Sequence, residues 1–164
     1  MGLDMYLNGK IFVGKYGDAK LKDSELVGIS TSTNKEIRLP TNTLTRLEFE
    51  LGYWRKANAI HNWFVENVQG GVDDCREYDV SFEQLCTLQS ICEKILKSYK
   101  KSKTAGVKQA KMLFPVKEGF FFGSYDYDEY YFDCLNDTIE IINKVAKYIE
   151  LFGDVFYFQY QSSW

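Results

Sequence analysis

The densest group of side chains that could take part in chemistry lies between residues 52 and 68 of the 164-residue chain. Apolar residues recur there at three- and four-residue spacing, which predicts one amphipathic helix over this stretch. The recurring set is Ala57, Ile60, Phe64, Val65 and Val68. Trp54, Asn58 and His61 fall on or beside the same face. Because a buried indole, amide or imidazole needs a hydrogen-bond partner, we interpret this helix as one wall of a polar site.

Two cations and the only histidine suggest what this wall would bind. Arg55 and Lys56 are predicted at the start of the helix, where the helix dipole disfavours cations but where basic donors can face an anion. His61 would titrate near neutral pH and act as a base or a ligand donor. The alternative for His61 is a partly buried ring with satisfied nitrogens. A nucleophile pair of Cys75 with His61 has no local sequence pattern to support it.

The second candidate segment, residues 123–131, mixes carboxylates with tyrosines. Asp126, Asp128 and Glu129 alternate there with four tyrosines. Asp128 is predicted to cap a helix N-terminus. The rings and carboxylates together would hold a cation, a base or an arginine-bearing partner peptide. The three acids suit Mg²⁺ or Ca²⁺, but their spacing matches no EF-hand, and we assign no metal site.

The last residues, 160–164, form the third candidate. Chain ends usually fray, so a final strand that ends in tryptophan predicts a docked end. The predicted ligand-binding residues of all three segments are Trp54, Arg55, Lys56, Asn58, His61, Tyr125, Asp128, Tyr130 and Trp164. We assign no catalytic residue and no cofactor, because the sequence contains no GxSxG, P-loop, GxGxxG or HExxH motif.

Charge and composition narrow the classes of function. The net charge of −3 argues against general nucleic-acid binding, which needs a basic face. The sequence shows no signal peptide and no apolar stretch approaching about 20 residues, so we expect a cytoplasmic protein without a membrane span. The four cysteines form no CxxC pair and are expected as reduced thiols. The aromatic content of 16% fits either an aromatic-rich core or a partner-binding surface.

The elements that must position these groups follow from local patterns. Strands are predicted at 3–7 and 10–14, joined as a hairpin around Asn8-Gly9, and then at 25–30, 46–51, 76–80 and 154–161. Helices are predicted at 52–68, from a capping box at Ser81 to about residue 101, and at 128–151, with a long connection at 102–118 that is partly helical near 105–112. We therefore predict one α+β domain over residues 1–164. Its small antiparallel or mixed sheet would carry three main helices.

Several separate blocks of the chain resemble a family of small uncharacterised proteins encoded by bacteriophages and prophages. The blocks are MGLDMYL (1–7), GYWRKANAIH (52–61), FFFGS (120–124), DEY (128–130) and QSSW (161–164). The lysine-rich stretch 97–111 departs from the pattern of the family. The resemblance implies no activity and no catalytic residue. It implies an accessory role in the host cytoplasm, in which such proteins bind host factors or signalling molecules.

Two functions remain open from the sequence. The first is a non-enzymatic phage accessory protein that sequesters a small anionic ligand of nucleotide type, or masks a host defence protein, with arginine pairing the anion and aromatic rings stacking a base. The second is a small metal-dependent enzyme acting on nucleotides or nucleic acid, with His61 as general acid or base and Asp128 or Glu129 at a metal. A third hypothesis is a virion or assembly component, but the sequence contains no repetitive or coiled-coil segment that would support it. The oligomeric state is left open.

Overall fold

Strands and helices both build the core of the domain. The computed structural model describes residues 2–13, 25–29, 32–40, 43–119 and 122–164. The elements in these ranges are β1 (Asp4–Phe12), β2 (Glu25–Ile29), β3 (Glu36–Pro40), β4 (Arg46–Arg55), α1 (Asn58–Asn67), β5 (Tyr78–Val80), α2 (Phe82–Lys101), α3 (Lys103–Leu113), α4 (Glu129–Phe152) and β6 (Phe156–Ser163). The predicted α+β class with a single domain is confirmed.

The main sheet is antiparallel and has the strand order β4-β1-β6-β5. Side chains alternate between its two faces, so that Met5 and Leu7 of β1 and Phe158 and Tyr160 of β6 are buried in the core. The strands β2 and β3 pair only with each other among the described residues, as a separate antiparallel pair. The predicted strand at 25–30 is confirmed over 25–29, whereas residues 14–24, 30 and 31 lie outside the described ranges.

The hairpin predicted around Asn8-Gly9 is wrong, because β1 runs without a turn from Asp4 to Phe12. Gly9 serves packing between strands and not a reversal of the chain. A Cβ atom at Gly9 would lie 2.2 Å from the ring of Phe156 on the neighbouring strand. Glycine is therefore required there by a close approach of a side chain that is distant in the sequence.

The helix predicted over residues 52–68 begins six residues later than expected. Residues up to Arg55 belong to β4, and α1 starts only at Asn58. The register between β1 and β4 shifts beside Leu7 and Asn8, which marks a bulge. After the bulge, the strand alternation buries Trp54 and exposes Arg55. Lys56 then takes a left-handed conformation (φ 55°) that turns the chain from strand into helix.

The helices α2 and α4 match their predictions closely. Ser81 Oγ accepts the Gln84 N–H at 3.1 Å and Gln84 Oε1 accepts the Ser81 N–H at 2.8 Å, which confirms the capping box.

The connection at 102–118 contains a longer helix than predicted, α3. A Cβ atom at Gly106 of α3 would lie 2.6 Å from the Tyr99 backbone of α2, so this glycine allows the two helices to pack closely. Residues 120 and 121, at the start of the FFFGS block, lie outside the described ranges.

Candidate binding cleft

The first turns of α1 and α4 face each other across a cleft. Lys56 and the first turn of α1 line one side, and Asp126, Asp128 and Tyr130 line the other. The interior volume is about 20 Å³, which is room for about one water molecule. Anything larger than an ion or a single functional group must therefore lie across the mouth of the cleft.

The N-terminus of α1 lies at this cleft. The first N–H groups of a helix have no partner within the helix and carry partial positive charge. Ala57, the N-cap residue of α1, has no side chain that can accept from them, and no side-chain cap forms within the described part of the chain. Lys56 stands at the rim beside these groups. Together they give this side of the cleft a positive character.

Asn58 holds the wall of the cleft in place. Its Nδ2 donates to the carbonyls of Phe122 (3.2 Å) and Ser124 (2.8 Å), and its Oδ1 accepts the Lys117 N–H at 3.1 Å. The side chain is buried, and each of its polar atoms has a partner. Asn58 therefore ties residues 117, 122 and 124 to α1 and has no free group for a ligand.

The conformations of Lys56 and Gly123 depend on each other. Gly123 has a φ of 93°, and a Cβ atom there would lie 2.8 Å from the Cβ of Lys56. The Lys56 N–H donates to the Leu3 carbonyl at 2.7 Å. This contact fixes where the lysine leaves the strand. Arg55 does not share the position of Lys56, because its Nε lies 3.8 Å from Asp4 Oδ1 and its side chain does not line the cleft.

The α4 side of the cleft carries carboxylates and a phenol. Asp128 Oδ1 accepts the Tyr131 N–H at 3.0 Å, which confirms its predicted role as N-cap. Asp126 Oδ2 accepts from Ser124 Oγ at 3.4 Å. The Tyr130 hydroxyl donates to the Arg55 carbonyl. Burial, followed by the influence of neighbouring acidic groups, raises the pKa of Tyr130 to about 12, so its hydroxyl keeps the proton near neutral pH.

His61 lies away from this cleft, inside a buried polar network. Its Nδ1 lies 2.8 Å from the Tyr160 hydroxyl and its Nε2 lies 3.1 Å from Asp73 Oδ1. The ring is 1% exposed, and the rings of Phe122 and Trp164 lie against it, with centroids 5.1 and 5.9 Å away. Burial lowers the pKa of His61, and the nearby Asp73 carboxylate opposes this shift only in part. The ring is therefore neutral at neutral pH and enclosed by its partners.

The remaining predicted residues also lie outside the cleft. Trp54 is buried, and its Nε1 donates to Thr138 Oγ1 at 2.9 Å. Tyr125 is exposed, and its hydroxyl donates to the Gly119 carbonyl at 2.9 Å. The cleft is thus lined by Lys56, Asn58, Asp128 and Tyr130 of the predicted set, but not by Trp54, Arg55, His61, Tyr125 or Trp164. Sequence reasoning indicated that the buried polar side chains need partners, but not that Asp73, Thr138 and Tyr160 supply them.

The structure offers no support for the metal and nucleophile arrangements considered from the sequence. Within the ranges that it describes, no group of three or more His, Cys, Asp or Glu side chains converges on a point that could hold a metal ion. Cys75 is exposed, whereas both nitrogens of His61 face other partners. The four cysteines are free thiols.

Comparison with protein-family models, curated proteins and solved structures found no match to the chain. Family membership therefore contributes nothing to the assignment of a function. None of the helices in the described ranges has the length and apolar character needed to cross a membrane.

Proposed function

We propose that the protein binds a small anionic ligand of nucleotide type at the α1–α4 cleft. The observation that carries this proposal is the uncapped first turn of α1, which lines the cleft together with Lys56. Free helix N–H groups and a nearby cation are a common arrangement for binding phosphate or carboxylate groups. The anionic group would occupy the mouth. The rest of the ligand would lie outside, against the exposed ring of Tyr130.

The opposite wall limits the affinity. Asp126 and Asp128 place two carboxylates across the cleft from Lys56, and like charges repel a bound anion. Asp128 is engaged at the N-terminus of α4, whereas Asp126 is an exposed residue in a short loop. Removal of the Asp126 charge should therefore strengthen anion binding, while removal of the Lys56 charge should weaken it.

Thermal-shift measurements with inorganic phosphate, ATP and 3′,5′-cyclic AMP test the proposal. A ligand present at about a hundredfold excess over its Kd stabilises the native state by about 2.7 kcal/mol. For a chain of this length, that corresponds to a rise in Tm of about 5–10 °C. We expect Lys56→Gln to abolish the shift and Asp126→Asn to increase it. A shift with phosphate alone would identify the anion as the recognised group, and a shift with the nucleotides only would add a contact with the base.

Arg55→Gln is the matched control, since it removes the same charge from the neighbouring residue outside the cleft. Equal losses in Lys56→Gln and Arg55→Gln would show that only general surface charge matters, which would overturn the assignment to the cleft. The absence of any shift with all three probes would do the same. The metal-dependent enzyme draws no support from the enclosed His61. The phage accessory role and a host-protein target stay predictions.

A further inference from the structure

The edge of the main sheet at β4 has an open side. Among the described residues, β4 pairs with β1 and with no other strand. The Lys56 N–H donates to the Leu3 carbonyl at 2.7 Å, so Leu3 and Lys56 form a hydrogen-bonded pair at this end of the two strands. In an antiparallel pair, every second residue exchanges hydrogen bonds with its neighbour. Trp54 therefore bonds to β1, whereas Tyr53 and Arg55 direct their N–H and C=O groups away from it.

Side chains of α4 cover part of this edge. The Tyr130 hydroxyl donates to the outward carbonyl of Arg55. Some 14 residues further along α4, Lys144 Nζ donates to the carbonyls of Leu51 (3.0 Å) and Glu50 (3.3 Å). Tyr53 lies between these two covered ends. No side chain of the described residues bonds to its outward N–H and C=O groups.

A groove between β4 and α4 runs past these open groups of Tyr53. Its volume is about 410 Å³, and its walls are residues 50–53 of β4 together with Asp137, Glu140, Ile141 and Lys144 of α4. This volume is within the range of about 300–1,000 Å³ that is typical of ligand pockets. An edge strand with open backbone groups beside a helix is the setting in which an extended peptide adds to a sheet.

The charges around the groove favour a basic partner. Glu50, Asp137 and Glu140 outnumber the single Lys144. Burial raises the pKa of Asp137, and the negative charges of Glu140 and Asp133 raise it further. The same excess of negative charge disfavours pairing of this edge with the edge of a second copy of the chain, since like charges would meet.

We propose that the β4–α4 groove binds an extended, basic segment of a partner protein, which adds as a further strand against β4. The backbone of the segment would bond to the N–H and C=O groups of Tyr53. Its lysine or arginine side chains would contact Asp137 and Glu140. Because Tyr130 and Lys144 cover the two ends of the edge, the segment is short. This site is distinct from the α1–α4 cleft and does not depend on the function proposed there.

A blocked peptide of alternating lysine and threonine residues is a suitable probe. We expect it to slow hydrogen exchange of the Tyr53 amide, measured by NMR in the full chain. The same peptide with N-methyl groups on alternate residues keeps its charge but loses backbone donors. The only carbonyl of this edge that it could have bonded is that of Tyr53, and one lost hydrogen bond of about 1 kcal/mol corresponds to roughly 5-fold weaker binding in calorimetric titration. Equal binding of the N-methylated peptide, or an unprotected Tyr53 amide, would overturn strand addition.

Charge variants test the contribution of the groove. Asp137→Asn with Glu140→Gln should weaken binding roughly 2- to 30-fold, because exposed charge pairs contribute about 0.2–1 kcal/mol each. The control is Glu93→Gln with Glu150→Gln, which removes the same charge from exposed positions outside the groove. Equal weakening by both pairs would contradict the assignment to the groove. Protection of Tyr53 that rises with protein concentration in the absence of peptide would identify a second copy as the occupant and overturn the proposal.

Discussion

Removal of one hydroxyl group from the buried network around His61 tests whether the only histidine of the chain is a structural residue. Tyr160 is fully buried, and its ring stacks on Phe64 with centroids 3.9 Å apart. Its hydroxyl lies 2.8 Å from His61 Nδ1. The substitution Tyr160→Phe keeps the stacked ring and removes only the hydroxyl, with its hydrogen bond to His61 and its contact with the Ser162 side chain. Its effect therefore measures the bond and not the packing of the core.

The direction of the hydrogen bonds follows from the partners of His61. An ionised Asp73 only accepts hydrogen bonds, so the neutral imidazole carries its hydrogen on Nε2 and donates it to the carboxylate. His61 Nδ1 is then an acceptor, and the Tyr160 hydroxyl donates to it. Tyr160→Phe leaves this buried acceptor without a partner, which costs about 1–3 kcal/mol of unfolding free energy. For a chain of this size, Tm should fall by about 2–12 °C.

Urea denaturation followed by circular dichroism, together with thermal unfolding, measures this loss. Tyr157→Phe is the matched control, because Tyr157 lies on the same strand, is 53% exposed, and its hydroxyl has no partner within the described ranges. The control should change the unfolding free energy by less than about 0.5 kcal/mol. Equal stability of the two variants would refute the reasoning, since the Tyr160–His61 bond would then contribute nothing to the native state.

Three further predictions concern the stability of the domain. The pKa of His61 is lower in the folded than in the unfolded chain, so the unfolded chain binds a proton at a higher pH than the folded chain does. The contribution of His61 to the unfolding free energy should therefore be full above about pH 6.5 and fall as the pH drops towards the folded-state pKa. Measurements of Tm against pH should show a weaker dependence on pH in His61→Asn. Ser81→Ala removes the cap bonded to the Gln84 N–H and should lower the unfolding free energy by about 0.5–2 kcal/mol in urea. Gly106→Ala should lower the unfolding free energy by about 1–3 kcal/mol, because a Cβ 2.6 Å from the Tyr99 backbone forces the helices apart. Helix propensity alone predicts a rise of about 1 kcal/mol, and such a rise would contradict this packing.

Features with a local cause could be predicted from the sequence. The capping box at Ser81 and the N-cap at Asp128 each depend on atoms within three residues of each other, and both were predicted correctly. The hairpin around Asn8-Gly9 was predicted from an equally local turn signal and is wrong. Gly9 is explained by the Phe156 ring, which is far away in the sequence. Glycine occurs both in turns and in closely packed strands, so the residue type alone cannot distinguish these two roles.

The junction between β4 and α1 shows the same limit. Trp54 fits the apolar face of a helix through 52–68 as well as the inner face of a strand from Arg46. The strand prevails because β1 supplies partners for the backbone of residues 46–55. In consequence Arg55, predicted beside Lys56 at a helix N-terminus, lies on the sheet and is separated from the cleft. Because the bulge and the strand place Arg55 on the sheet, only Lys56 of the two adjacent cations stays at the predicted site.

The need for partners could be predicted, but the identity of the partners could not. Asn58 belongs to the predicted site because a buried amide is unfavourable without hydrogen bonds. Its donors meet carbonyls 64 and 66 residues further along the chain. No pattern in the sequence connects positions at such separations, because the contact forms only when α1 packs against the segment before α4.

The hydrogen-bonding groups that are open at the two proposed sites lie mainly in the backbone. The side chains that suggested chemistry, His61, Trp54 and Asn58, each bond to other groups of the protein. Of the buried side-chain N and O atoms in the described part of the chain, only Gln69 Oε1 and Ser162 Oγ lack a partner, and neither residue lines the cleft or the groove. Both proposed sites instead use main-chain groups: the first turn of α1 and the open edge at β4. Since every residue type except proline carries both groups, such sites are found from the fold and not from motifs.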